Sequence, residues 1–358
     1  MGHPILTSRS SGWSVGILSS IVLLCAASPV RAQPPDPSAE CLECHGDPVD
    51  RTFTNGSTRT LEVHLDRLLK SVHAGKATCV DCHPGAREVP HPDRRFASSR
   101  HLTIAESEQC RQCHFTEYRQ AREGVHGDAV ARGDLTAPVC VDCHGGHDIQ
   151  QPQEPRTRVA TTCGQCHAAT ARTYAASVHG EDVARNITDV PTCVDCHGGH
   201  QIAGPREAGW RTRTPEVCGG CHGDPARMDK YGLSTNVLQT YVADFHGRTA
   251  ALRTRERSGH EAAFVAVCSD CHGTHDVTRV DAASSPALKT NLVNTCRTCH
   301  ADASETFPDS WLSHYEPSWE RTPALQAVKT AYAVLIPFMI GGLVLQMLLH
   351  LWRMAVNR

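Results

Sequence analysis

The stretch "CVDCHGGHDI" occupies residues 140–149, and its first eight residues return unchanged at 193–200. A near copy, "CSDCHGTH", occupies 268–275. Each unit carries two cysteines with two residues between them, a histidine directly after the second, and another histidine three residues on. Working outward, the first half of this unit accounts for every cysteine from residue 41 onward. There are nine CxxCH units: Cys41 and Cys44 before His45, Cys79 and Cys82 before His83, Cys110 and Cys113 before His114, Cys140 and Cys143 before His144, Cys163 and Cys166 before His167, Cys193 and Cys196 before His197, Cys218 and Cys221 before His222, Cys268 and Cys271 before His272, and Cys296 and Cys299 before His300.

CxxCH is the attachment pattern of c-type haem. Cysteines three positions apart reach the two vinyl groups on one haem edge, and the adjacent histidine turns under the ring to ligate iron. One such motif also fits a zinc site or a redox dithiol. Nine, with no cysteine left over between them, do not. Composition agrees: 19 cysteines and 23 histidines stand beside only 5% aromatic residues, so a side-chain core is thin and a bound group must hold the fold. The net charge of −3, without a long basic run, gives no sign of nucleic acid as a partner.

The units alternate in kind. Those at 110, 163 and 218 start 53 and 55 residues apart, and the CVDCH-type units at 140, 193 and 268 lie between them. Each first-kind unit is followed by a stretch ending in a histidine, as in "CHFTEYRQAREGVHG" with His126 and "CHAATARTYAASVHG" with His179; "YVADFHG" adds His246, "KSVHAG" His73 and "SWLSHYEP" His314. The pattern predicts helices that stop at the glycine after the histidine. The second-kind units bring His147, His200 and His275, and His91 in "EVPHPD" is their counterpart in the first repeat, with His101 as its alternative. Five histidines of the first group and four of the second equal the nine proximal ones, so each is expected to be the sixth ligand of a haem. A histidine three residues after a proximal one cannot pass round the same ring, so it is expected to reach a neighbouring haem. His64, His101 and His260 have no repeat equivalents and read as surface groups or propionate partners. Asp81, Asp142, Asp195 and Asp270 read as turn or cap residues.

Only Met228 stands between the two ends of the chain as a methionine, which argues for bis-histidine iron and low potential. With two protein ligands on every iron there is no catalytic position, and electron transfer is what remains. The expected fold is mainly α with extensive loop, a haem-cored repeat of di-haem modules with little or no sheet.

The ends set the compartment. Residues 1–32 read as an export signal, with Arg9, an apolar run from Val15 to Ala27 and cleavage after Ala32. Residues 33–325 form the haem domain, and 326–358 a membrane anchor with a short tail. From Ala331 to Trp352 no Asp, Glu, Lys or Arg occurs, a length sufficient for one crossing. Arg353 and Arg358 after it favour a cytoplasmic C-terminus, with the haem domain on the periplasmic face. His314, shortly before the span, puts the last haem at the bilayer surface and the first, at Cys41–His45, at the far end. His350 is either an interfacial residue or a contact to a membrane partner.

On "CVDCHGGHDI" and the pattern CHxxxxxxxxxSVHG at 166–180, the chain resembles the multihaem cytochromes c grouped with class III cytochromes c and the doubled-CxxCH families, over nearly all of 41–315. The ending "LLHLWRM" resembles the first membrane segment of proteins in which such a domain is fused to, or encoded with, a cytochrome b. The resemblance implies a quinol-oxidising or cytochrome b subunit as membrane partner and a downstream redox protein as the other. Two competing readings are a multihaem reductase of nitrite, hydroxylamine or another small oxyanion, which needs one open haem, and a small quinol dehydrogenase like the periplasmic tetrahaem family, which is anchored at the other end. No CxxCK variant occurs.

Overall fold

The computed structural model describes residues 38–357 apart from 206–208, 256–264 and 312–313. The export-signal segment and His260 lie outside the described residues. What is described is mostly helical. Short helices follow one another along the chain, and one hairpin forms a two-stranded sheet. Strands β1 (Val49–Thr52) and β2 (Thr58–Leu61) pair antiparallel in the register Val49↔Leu61 to Thr52↔Thr58. Gly56, at φ 81°, makes their turn, a conformation that costs glycine nothing.

Buried apolar side chains are few and scattered: Phe53, Val159, Val183, Met228, Val265, Val267 and Leu292 are among them, in different repeats.

Two local devices recur. The CVDCH-type units form one-turn helices, Cys79–Cys82, Cys140–His144, Cys193–His197 and Cys268–His272. Their aspartate accepts a bond from the backbone N–H three residues before it: Thr78 N at 2.8 Å, Val139 N at 2.7 Å, Thr192 N at 2.6 Å and Val267 N at 2.7 Å. This is the cap role expected of Asp81, Asp142, Asp195 and Asp270. An arginine from the preceding repeat segment braces three of them: Arg100 on Asp142, Arg156 on Asp195 and Arg211 on Asp270. After three of these units, Gly145, Gly198 and Gly273 sit at φ 79° to 81° and turn the chain toward the second histidine. The first repeat has Pro84 there and enters a 3-10 turn instead, so its histidine arrives later, as His91.

The second device corrects an expectation. The histidine stretches do not end at the glycine after the histidine. The helices Phe115–Glu123, Ala168–Ala175 and Val237–Ala243 stop earlier, and the chain is extended at Gly124, Ser177 and Asp244, with ψ between 162° and 167°. A new helix then starts, Val125–Ala131, Val178–Ala184 or Phe245–Arg255, with the histidine as its second residue. The following glycine is the contact between the paired helices. A Cβ on Gly127, Gly180 or Gly247 would stand 2.3, 2.0 or 2.1 Å from the carbonyl oxygen of Ala121, Tyr174 or Tyr241. Glycine is required there by close approach rather than by left-handed backbone.

The C-terminal helix runs Pro323–Val356, 34 residues, or about 51 Å at 1.5 Å per residue. It contains the apolar stretch from Ala331 to Trp352, is exposed along its length, and is long and apolar enough to cross a bilayer.

Candidate metal centres

All nine CxxCH histidines face one further histidine ring. In chain order the pairs are His45 with His91 at 6.0 Å between ring centres, His83 with His147 at 6.1 Å, His114 with His73 at 5.9 Å, His144 with His200 at 6.0 Å, His167 with His126 at 6.2 Å, His197 with His275 at 6.0 Å, His222 with His179 at 6.3 Å, His272 with His314 at 6.1 Å, and His300 with His246 at 6.4 Å. No ring is shared between pairs. Two imidazoles on opposite sides of one metal, at about 2 Å per metal–nitrogen bond and roughly 1.1 Å from nitrogen to ring centre, stand about 6.2 Å apart. The separations fit a six-coordinate iron between the rings.

The pairing has a rule. Histidines of the first group reach forward past one unit: His73, His126 and His179 follow the first, third and fifth units and face the third, fifth and seventh, and His246 faces the ninth. His147, His200 and His275 reach backward past one unit, from the fourth, sixth and eighth to the second, fourth and sixth. The expected reach to a neighbouring unit is therefore a reach of two. His91 closes the first unit and His314 the eighth. His314 thus does the work of the second group, although the sequence grouped it with the first. The segment leading into the C-terminal helix carries a ring of the eighth site, not of the last.

Backbone bonds between repeats hold both groups in place. Val72 N–H donates to Ile149 O at 2.8 Å, Val125 N–H to Ile202 O at 3.0 Å and Val178 N–H to Val277 O at 2.9 Å. Each ties the residue before a first-group histidine to the residue two after a second-group one. At Gly124 the approach is so close that a Cβ would lie 2.8 Å from Ile202 N.

Consecutive units are neighbours. Cys41 lies beside Cys79, Cys110 beside Cys140, Cys163 beside Cys193 and Cys218 beside Cys268. Between these couples, Cys82 lies within charge range of Cys113, Cys143 of Cys163, Cys196 of Cys218 and Cys271 of Cys296. The units run in one row in chain order.

Burial pushes the imidazoles of His126, His144, His147, His179, His197, His222, His272 and His314 below their ordinary range. They are held neutral, the form whose lone pair binds metal. Among the described residues no cluster of three or more His, Cys, Asp or Glu could hold a metal ion by themselves. His101 bonds Ser98 Oγ at 2.8 Å and His64 pairs with Glu62 at 3.3 Å; neither faces a proximal histidine. Met228 is buried.

Sequence reasoning missed four sets of residues around these sites: the bracing arginines, the inter-repeat backbone ties, Trp210, stacked on His197 at 4.9 Å and 11°, and Glu106, whose carboxylate meets His83 Nδ1 at 2.9 Å. Only the arginines left a mark in the sequence. Arg156 and Arg211 each stand seven residues before a first-kind unit.

Residues 136–223 match the family model described as cytochrome c3, a stretch that holds the four units from Cys140 to His222. No curated protein and no solved structure matches the chain. The match, on residues whose geometry fits the group, supports a multihaem c-type cytochrome, an electron-transfer protein with covalently attached haem.

Proposed function

We propose that the chain is a membrane-anchored, exported nonahaem cytochrome that relays electrons between a quinol-oxidising or cytochrome b partner in the membrane and a periplasmic or extracellular redox protein. The observation that carries this reading is the facing of all nine CxxCH histidines by nine separate histidines at 5.9 to 6.4 Å. A haem held between two such rings supplies a one-electron couple whose potential the protein sets. The eighteen cysteines of the units would provide the thioethers, and the proximal and facing histidines would together supply the imidazole ligands of iron. Because each proximal ring already has a partner, the geometry favours the relay over the oxyanion reductase, which needs an open iron. The run of neighbouring units supports a single path from first to ninth.

The C-terminal helix, with Lys329 before the apolar stretch and Arg353 and Arg358 after it, supports a single span with a cytoplasmic end. Tyr315 and Trp319, exposed just before Pro323, are of the type that sits at the headgroup level. Since His314 belongs with His272, the eighth site and its neighbour, the ninth, are the ones to exchange electrons with the membrane partner, and the first site is the far end.

The experiment is a haem count on the purified protein, followed by low-temperature electron paramagnetic resonance with magnetic circular dichroism on its fully oxidised form. Nine haems, all low-spin, are expected. One high-spin haem favours the reductase reading, with nitrite and hydroxylamine the first substrates to add.

A further inference from the structure

When Nε2 of an axial histidine faces the metal, Nδ1–H is left for a second partner, and that partner sets the ring's orientation and basicity. At several sites the partner is neutral. His91 Nδ1 meets the Glu88 carbonyl oxygen at 2.7 Å, His314 Nδ1 meets Thr240 Oγ1 at 3.4 Å, and His197 bonds the backbone of Ala203. His83 differs. Its Nδ1 lies 2.9 Å from Glu106 Oε2, and the other oxygen of that carboxylate accepts from Arg94 Nη1 at 2.7 Å. The Glu106 side chain is 18% exposed and that of His83 40%, so solvent screens the contact in part. The nearest comparable carboxylate, Asp244, stands 3.7 Å from His246 Nδ1, and it already accepts from Trp311 Nε1 at 2.9 Å.

We propose that Glu106 is a positioning residue for His83: it takes the Nδ1–H bond, holds Nε2 toward His147, and sets the potential of the site between those rings below that of the sites on either side. The inference rests on the reading that His83 and His147 ligate a haem. A carboxylate acceptor makes the imidazole more electron-donating. The ferric site carries one positive charge more than the ferrous site, so the donor and the negative charge both favour the oxidised form. Arg94, on the far side of the carboxylate, works against this by drawing charge from it. The first unit, at Cys41–His45, is then reached only across a low-potential step.

The opposite signs make the test. The full-length, haem-loaded protein is titrated by spectroelectrochemistry as wild type, Glu106→Gln and Arg94→Gln. In Glu106→Gln one couple is expected to rise, with the reduced-to-oxidised ratio at a fixed solution potential increasing about tenfold, or ~59 mV for one electron. In Arg94→Gln the same couple is expected to fall. No shift in Glu106→Gln, or a rise in both variants, overturns the proposal, since mere loosening of the site has no reason to change sign. If Glu106→Gln fails to load haem, the direction in Arg94→Gln decides. His147→Ala separates the two readings: without a new high-spin haem in that variant, the ligand assignment itself is wrong, whatever Glu106 does.

Discussion

His147 follows His144 by three residues, yet its ring faces His83 across 6.1 Å, while His144 faces His200 at 6.0 Å. The second histidines of the units at 140, 193 and 268 therefore face the proximal ring two units back, and removing one should expose iron at a distance. In His147→Ala, one haem is expected to turn high-spin. Removing Cys79 and Cys82 as well should abolish that signal, and removing Cys140 and Cys143 instead should leave it. Electron paramagnetic resonance of the three proteins distinguishes this from ligation within one unit.

His91 and His101 are ten residues apart and only one faces a proximal ring. His91→Ala is expected to yield one high-spin haem and to open the first site to carbon monoxide or cyanide. His101→Ala, which removes a bond to Ser98, should keep the wild-type spin state. The reverse result would reassign the first site.

Gly180 lets the helix Val178–Ala184 lie against Tyr174, where a Cβ would come within 2.0 Å of the carbonyl oxygen and 2.8 Å of Ala175 Cα. Both neighbours are backbone and cannot rotate away. Gly180→Ala is expected to lower the unfolding free energy of the haem-loaded protein by ~1–3 kcal/mol, the range for overpacking. A denaturant series on the wild type and the variant reads the difference.

Asp195 caps its one-turn helix through Thr192 N at 2.6 Å and Thr192 Oγ1 at 2.7 Å, and Arg156 adds a contact at 3.0 Å. Asp195→Ala is expected to cost ~1–2 kcal/mol, as for lost helix caps. Arg156→Gln should cost ~0–1 kcal/mol, the range for a partly exposed ion pair, and the loss should shrink in high salt. An Arg156→Gln effect as large as that of Asp195→Ala would mean that the arginine's bond to Val190 O, at 2.7 Å, is the larger contribution.

Among the described residues, none of the nine ring pairs includes a residue of the C-terminal helix. A chain ending at Thr322 is expected to leave the membrane fraction while keeping the wild-type haem-to-protein ratio, measured by pyridine haemochrome. Loss of haem on truncation would tie the span to the fold of the sites.

The attachment chemistry was legible in the sequence because it is local: five consecutive residues carry both thiols and one axial ring, and Asp142 or Asp195 caps the turn they form. The second histidines stood out through recurrence, and the fold brings each of them to a proximal ring; the mostly helical, sheet-poor fold was legible as well. Partner choice was not. Whether His147 meets His83 or another ring depends on how the repeats dock, through bonds such as Val72 N–H to Ile149 O, between residues far apart in the chain. The same holds for His314, which its place in the chain assigned to the last unit and its docking assigned to His272. Glycines 127, 180 and 247 read as helix stops because sequence reports backbone preference, whereas the paired helices needed a missing side chain. Glu106 left no mark at all: a lone carboxylate gains meaning only when the fold brings it against His83 Nδ1. Sequence by itself determined which thiols and imidazoles recur at a spacing suited to haem; tertiary structure decided which two rings face each other, because that is a question of distance between repeats.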